Sequence, residues 1–115
     1  LMIKTREEVQ SFIASFIEKA NVFSVTFISR DKNTEALKVL GINETIRLEL
    51  VKQITIEEYS ETISDLLSFG DMWVFGKDYD GKEIYIKISL GSFNARAICI
   101  SFHIAEHQMS HPYKN

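Results

Sequence analysis

The sequence predicts an α+β fold, in which N-terminal helices pack on a small antiparallel β-sheet formed mainly by the C-terminal half of the chain. Apolar residues recur at helical spacing in the first half and alternate with polar residues in the second half. The connections between the last three strands are short enough for hairpins, and a hairpin pairs its strands antiparallel. Helices followed by strands differ from the regular alternation of strand and helix that a parallel, doubly wound sheet requires.

Capping residues define three predicted helices before the strands. The first begins at a capping box, because Thr5 and Glu8 have the spacing at which each side chain accepts a hydrogen bond from the other residue's backbone N–H. Gly41 ends the second, since glycine readily adopts the left-handed conformation that closes many helices, and Asn43 caps the third. Between the first two helices, residues 22–28 are expected to form a short edge strand. The other predicted elements are helices at residues 6–20 and 31–40, a helix after residue 43, a capped turn at residues 55–58 and a strand at residues 59–67.

A β-hairpin is predicted in the second half of the chain. Asp80-Gly81 lies between two alternating segments and is typical of a two-residue hairpin turn. Pairing the residues on either side of this turn places Phe75 opposite Ile86 on an apolar face. Because side chains alternate along a strand, Tyr85 then points to the other face of the sheet.

A second hairpin joins this strand to the predicted strand at residues 96–103. Hydrophobic matching pairs Ile86 with Ile100, because a slip by one residue would bury Ser101 and His103 and expose the isoleucines. In this register the apolar residues of all three strands share one face of the sheet. The other face is polar and carries Tyr85, Lys87, Ser101 and His103.

This polar face has the residue types that cleavage of an RNA phosphodiester by its own 2′-hydroxyl requires. The reaction needs a base, an acid and positive charge close to the developing phosphorane. His103 suits proton transfer at neutral pH, Lys87 supplies positive charge, and Tyr85 can contact a phosphate or stack on a base. The alternative is that these residues only form a solvent-exposed sheet face.

Composition and charge narrow the classes of function. With 45% hydrophobic and 25% charged residues, the chain is typical of a globular domain. No apolar stretch approaches the ~18 residues of a membrane helix, and the first residues lack the positive-then-apolar layout of a secretory signal, so we expect a cytoplasmic protein with no membrane contact. The formal net charge of -3 argues against a protein whose whole surface binds nucleic acid. Any site for a polyanion should therefore be local.

The chain length fits a single domain. Leu1 precedes Met2 and is interpreted as a remnant of cloning, so the predicted domain spans residues 2–115. Cys99 is the only cysteine, which excludes an internal disulfide, and it is expected to be a buried or half-buried residue of a strand.

One stretch matches a zinc pattern. His103 and His107 flank Glu106 in the H-x-x-E-H spacing of inverzincins, and His111 follows. That chemistry places both histidines on one helical face, whereas His103 is predicted to end a strand. We therefore expect no metal site.

Several stretches together resemble the MqsR family of toxins, bacterial mRNA endoribonucleases of the RelE-like superfamily. They occur in the order of that family, at residues 7–18, 35–42, 56–59, 72–73, 82–88 and 98–102. The resemblance implies a RelE-like fold, cleavage of single-stranded mRNA by 2′-hydroxyl attack without metal or cofactor, and a cognate antitoxin as protein partner. The oligomeric state, monomer or homodimer, stays open.

The resemblance also implies active-site positions. Tyr85 matches a tyrosine of the family's active site, and His103 stands where the family has a lysine directly after a Ser-Phe pair. Val74 and Ser60 stand where the family has a glutamine and a lysine. We assign the positive charge that is missing there to Lys77 and Lys87, which is our inference and is not implied by the resemblance. The resulting prediction takes Tyr85, His103 and Lys87 as catalytic residues and Lys77, Ser101, His107 and Lys114 as RNA-binding residues.

Two alternatives remain from the sequence. Val74 and Ser60 favour one alternative, a RelE-like fold that has lost catalysis. Such a protein would act as a binding or regulatory module for a protein partner. The C-terminal segment at residues 110–114 is either a disordered tail or folds back and brings Lys114 to the polar face.

Overall fold

The computed structural model describes residues 2–65 and 70–115. In this part of the chain the predicted α+β fold is confirmed, because the N-terminal helices pack on one five-stranded sheet. No helix among the described residues is long and apolar enough to cross a membrane. The elements are α1 (Arg6–Phe23), β1 (Val25–Phe27), α2 (Asp31–Leu40), α3 (Glu44–Lys52), a 3₁₀ turn (Ile56–Glu58), β2 (Tyr59–Asp65), β3 (Gly70–Tyr79), β4 (Lys82–Ser89) and β5 (Ala97–Ile104).

The predicted helix caps are confirmed. The Thr5 hydroxyl accepts a hydrogen bond from the Glu8 backbone N–H at 3.1 Å, and the Glu8 carboxylate accepts one from the Thr5 N–H at 3.0 Å. Gly41 ends α2 in the left-handed conformation with a φ of 67°. The Asn43 side chain accepts from the N–H of Ile46 at 2.9 Å at the start of α3. Each cap satisfies backbone groups that a helix end would otherwise leave without a partner.

The boundary between α1 and β1 differs from the prediction. The helix continues to Phe23 and ends at Ser24, whose φ is 70°, so β1 is only Val25–Phe27. Val22 and Phe23 looked like the start of a strand because apolar and polar residues alternate there. In the structure both lie on the last turn of the helix and are exposed. The predicted strand at residues 59–67 is confirmed as far as Asp65, and its last two residues lie outside the described part of the chain.

The sheet has the strand order β1-β5-β4-β3-β2. The four strands of the C-terminal half pair antiparallel, as predicted. Strand β1 instead pairs parallel with β5 at the edge, so the complete sheet is mixed. No hairpin connects these two strands, and their direction is therefore not constrained by a turn.

One face of the sheet carries the hydrophobic core. Phe12 and Phe16 of α1 are buried against it, and Phe12 stacks on Trp73 with ring centroids 4.2 Å apart. Burial of such side chains contributes roughly 1.5–3 kcal/mol each. Cys99 belongs to this core and is 1% exposed, and burial raises the pKa of its thiol to about 12. The prediction of a buried strand cysteine is confirmed, and its thiol is unreactive at neutral pH.

The predicted hairpin at Asp80-Gly81 is confirmed. Phe75 pairs with Ile86, and Gly76 pairs with Tyr85. Both turn residues have positive φ, 50° for Asp80 and 75° for Gly81, as a primed turn requires.

The predicted register between β4 and β5 is wrong by two residues. Ile86 pairs with Phe102 rather than with Ile100. A β-bulge beside the pairs of Lys87 and Ile88 leaves Ile100 as the extra residue, and Ile88 pairs with Cys99. Because the bulge adds one residue to β5, the side chains before it point to the opposite face from the one predicted. Cys99 therefore joins the core, and Ile98 and Ile100 do not. Beyond the bulge a shift of two residues keeps each side chain on its face.

Candidate functional site

The face of the sheet opposite the α1 core forms one wall of a groove with a volume of about 730 Å³. Tyr85 pairs with His103 across β4 and β5, and Lys87 pairs with Ser101. All four side chains line the groove. The prediction that they are neighbours on one polar face is confirmed, although the register that led to it was wrong.

Tyr85 and His103 form a stacked pair in the groove. Their ring centroids are 5.1 Å apart and their planes differ by 11°. The His103 Nδ1 lies 2.9 Å from the carbonyl oxygen of Ile104. A carbonyl only accepts, so Nδ1 carries the proton, and in the neutral ring Nε2 is left as the basic nitrogen. Stacking and this hydrogen bond together fix the orientation of the imidazole.

The phenol of Tyr85 stays protonated at physiological pH. Burial raises its pKa, the carboxylate of Glu61 raises it further, and Arg30 partly opposes both effects. The hydroxyl is therefore a hydrogen-bond donor, suited to a phosphate oxygen or to a base edge.

Arg30 is a residue of the groove that the sequence analysis missed. It directly precedes α2, and its Nη1 donates a hydrogen bond to the Ser101 hydroxyl at 3.3 Å. Ser101 is only 1% exposed, so it holds the guanidinium rather than offering a surface contact to RNA. No local motif marks Arg30, because its position depends on how α2 docks against the edge of β5.

Asn33 fixes that docking. Its amide nitrogen donates to the carbonyl oxygens of Ile28 and Ile100, and its amide oxygen accepts from the N–H of Phe102, each at 3.0 Å. Strand β1 ends at Phe27, so beyond this point the Asn33 side chain takes the place of a neighbouring strand for β5. Asn33 is 3% exposed and serves as a buried clamp between α2 and the sheet.

The groove has a small excess of positive charge within a chain of net charge -3. Three basic side chains and two carboxylates line it, together with two histidines, and one of the basic residues, Lys32, forms an ion pair with Glu106 at 2.8 Å. His107 is exposed and lines the groove, as predicted. The charged and imidazole side chains are Arg30, Lys32, Lys87, Glu61, Glu106, His103 and His107.

The prediction that Lys77 belongs to this site is wrong. Lys77 lies two residues after Phe75 on β3, so its side chain points to the same face of the sheet, and it is 8% exposed. Its ammonium forms an ion pair with Glu58 at 2.9 Å and donates to the carbonyl oxygen of Gln53 at 2.9 Å. The charge of Lys77 is thus neutralised away from the groove.

The C-terminal segment folds back over the sheet, as one of the two alternatives predicted. Met109 lines the groove. The His111 Nε2 lies 2.9 Å from the Glu83 carboxylate, and its Nδ1 lies 3.1 Å from the Glu58 carbonyl oxygen. Each ring nitrogen therefore faces an oxygen acceptor, and these two contacts hold the imidazole against the sheet. Lys114 follows but does not line the groove, so its predicted contact with the polar face is not formed.

Tyr113 anchors the end of this segment. Its ring stacks on Tyr59 with centroids 6.0 Å apart, and its hydroxyl donates to the Lys4 carbonyl oxygen. The guanidinium of Arg6 lies 5.2 Å from the centroid of the same ring. The two ends of the described chain are therefore held together beside the groove.

Gly76 leaves the space that the folded-back segment occupies. A Cβ at this position would lie 2.8 Å from His111 Cε1 and 2.8 Å from Met109 Sδ. Because two hydrogen bonds hold the His111 ring, we expect Gly76→Ala to lower the free energy of unfolding by about 1–3 kcal/mol through overpacking. Urea unfolding measures this change. In a Met109→Ala/His111→Ala background most of the cost should disappear, leaving only the contact with Glu83 Oε2 at 3.0 Å, and an equal cost in both backgrounds would contradict this explanation.

The zinc pattern does not form the geometry that it needs. His103 lies in β5, and residues 105–108 are not helical. Within the described ranges, no three His, Cys, Asp or Glu side chains are close enough together to hold a metal ion. Glu106 is instead paired with Lys32.

None of the protein-family models, curated proteins or solved structures compared with this chain matches it. The resemblance to the MqsR family therefore stays a hypothesis that depends on the sequence motifs. Any inference about function depends on the residues of the groove and their geometry.

Proposed function

We propose that this protein is a metal-independent endoribonuclease and the toxin of a type II toxin–antitoxin pair. The observation that supports this proposal most directly is the stacked pair of Tyr85 and His103, which shares one groove with Lys87 and Arg30. A base, a hydrogen-bond donor and two cations within one concave site are what cleavage by a ribose 2′-hydroxyl requires.

The proposed reaction begins when His103 Nε2 takes the proton of the 2′-hydroxyl. The 2′ oxygen then bonds to phosphorus, and the bond from phosphorus to the 5′ oxygen breaks. Arg30 and Lys87 stabilise the negative charge of the phosphorane, and the Tyr85 hydroxyl donates to one of its oxygens. His107, exposed at the rim, supplies the proton for the leaving oxygen. The products are a 2′,3′-cyclic phosphate and a 5′-hydroxyl.

The assay for this proposal is cleavage of a single-stranded RNA by the purified protein in the presence of EDTA. We expect cleavage that leaves a 2′,3′-cyclic phosphate, because the 2′ oxygen is the nucleophile. A matched substrate with a 2′-deoxyribose at the cut site should stay intact. Loss of activity in EDTA, or cutting of the deoxy substrate at that site, would refute the mechanism.

The same proposal implies the cellular partners. The substrate would be mRNA in the cytoplasm, and a cognate antitoxin protein would inhibit the toxin. No cofactor takes part in the proposed reaction.

A binding module without catalytic activity is the second candidate function. An apolar surface on the last turn of α1 and the β4–β5 loop favours it, since Phe93 is 92% and Val22 69% exposed. Clusters of exposed apolar side chains are typical of protein interaction sites. The cleavage assay separates the candidates, because a folded protein that leaves all RNA uncut would favour the binding module.

A further inference from the structure

Arg30 has the features of an anion-binding residue. Its guanidinium reaches the groove close to Tyr85 and has five N–H donors. Among the residues that the structure describes, the Ser101 hydroxyl is its only hydrogen-bond acceptor. Most of its donors are therefore available to a ligand in the groove.

No carboxylate of residues 2–64 or 70–115 forms an ion pair with Arg30. This distinguishes Arg30 from its neighbour Lys32, which is paired with Glu106 at 2.8 Å. It also distinguishes it from Lys77, which is paired with Glu58. An arginine without a carboxylate partner in a concave site keeps its full attraction for an anion, and its planar group matches two oxygens of a phosphate.

The surroundings of Arg30 position its backbone and orient its guanidinium before any ligand binds. Asn33 connects the first turn of α2 to β5 through three buried hydrogen bonds. The buried Ser101 hydroxyl then fixes the direction of the guanidinium toward the groove. This one hydrogen bond, at 3.3 Å, orients a side chain that is otherwise exposed, so part of its conformational freedom is already lost before binding.

We propose that Arg30 is the phosphate-binding residue of the groove and contacts a backbone phosphate of single-stranded nucleic acid. The identification of the ligand as a nucleic acid strand follows from the proposed function, whereas the anion site depends only on the geometry of Arg30. Met2, Ile3 and Met109 line the same groove and provide an apolar surface for a base beside the phosphate.

Binding of a fluorescein-labelled 2′-O-methyl RNA tests this role, because such a strand has no free 2′-hydroxyl and stays intact. We expect Arg30→Ala to weaken binding roughly tenfold or more in fluorescence anisotropy, as for loss of a charged hydrogen bond. The slope of log affinity against log salt should fall by about 0.7, the value for one phosphate contact on a single strand. Arg30→Lys should restore the slope but only part of the affinity, since lysine lacks the planar fork.

Arg96→Ala is the matched control, because Arg96 is exposed and lies outside the groove. It removes the same charge and should leave affinity and salt slope unchanged. Equal effects of Arg30→Ala and Arg96→Ala, or no binding of the RNA by the wild-type protein at low salt, would overturn the proposed role of Arg30.

Failure of this proposal is distinguishable from failure of the proposed function. A protein that binds the RNA through Arg30 but never cleaves a normal RNA would refute the nuclease and keep the phosphate site. A protein that cleaves and binds RNA equally well with and without Arg30 would refute the phosphate site and remove Arg30 from the proposed mechanism, while the nuclease activity itself would stand.

Discussion

The His103→Ala variant is expected to keep its fold and to cleave RNA about 10²–10⁴-fold more slowly than the wild type, the range for loss of a general base. In the wild type, the Nδ1–H bond to the Ile104 carbonyl oxygen leaves Nε2 as the acceptor, and the stack on Tyr85 holds the ring. Alanine removes the acceptor but little of the core, because His103 lies on the groove face.

Single-turnover cleavage rates across pH provide the decisive measurement. The wild-type rate should rise as the imidazole loses its proton, since only the neutral ring accepts a proton. This rise of the cleavage rate with pH should be missing in His103→Ala. It should also be missing in His103→Gln, which keeps a polar side chain without a basic nitrogen. Equal melting temperatures of the variants and the wild type control for folding. A His103→Gln variant with wild-type rate and pH profile would remove His103 from the mechanism.

Short-range sequence signals predicted much of this fold because their physical causes are local. A capping box needs only Thr5 and Glu8, and the Asp80-Gly81 turn needs only two residues that adopt positive φ. The two faces of β4 follow from alternation alone. Alternation along β5 likewise put His103 on the same face as Tyr85, although the predicted residue pairs between the two strands were wrong.

Other parts of the site depend on contacts between distant segments. The bulge at Ile100 has no mark in the sequence, since isoleucine is an ordinary strand residue, and only the pairing with β4 shows that it is extra. Arg30 enters the groove because Asn33, three positions later, replaces a missing strand for β5. Neither contact leaves a periodic pattern.

The position of Lys77 differs from these cases, because the sequence alone could have predicted that its side chain points away from the groove. The predicted pairing at the Asp80-Gly81 turn put Phe75 on the apolar face, and a residue two positions further along a strand shares that face. The choice of Lys77 for the RNA site followed its charge and ignored this alternation. A lysine on an apolar face needs a buried acceptor, and the structure provides the Glu58 carboxylate.

Asn33→Asp is expected to produce the largest loss of stability among the changes considered. The substitution keeps the shape of the side chain but replaces the NH₂ group, which donates to the carbonyl oxygens of Ile28 and Ile100, by an oxygen. Two buried acceptors would lose their donors and face a carboxylate in a site that is 3% exposed. We expect the free energy of unfolding at neutral pH to fall by about 3 kcal/mol or more, because each unsatisfied buried group costs ~1–3 kcal/mol and a buried charge costs more.

The pH dependence of this loss identifies its cause. Burial beside carbonyl oxygens disfavours the carboxylate and raises the pKa of the introduced aspartic acid in the folded state above its unfolded value of about 3.9. An acid whose pKa is raised on folding destabilises the protein at high pH, and this cost shrinks as pH falls through the raised folded pKa. Urea unfolding of Asn33→Asp should therefore show a deficit against the wild type that narrows on acidification, when the protonated carboxyl again donates one hydrogen bond. Asn21→Asp, on the exposed last turn of α1, introduces the same group without burying it and should cost at most about 1 kcal/mol, the effect of a negative charge at the end of a helix. A deficit of Asn33→Asp that is small at neutral pH, or that does not narrow as the pH is lowered, would show that Asn33 is not the clamp that brings Arg30 and β5 together.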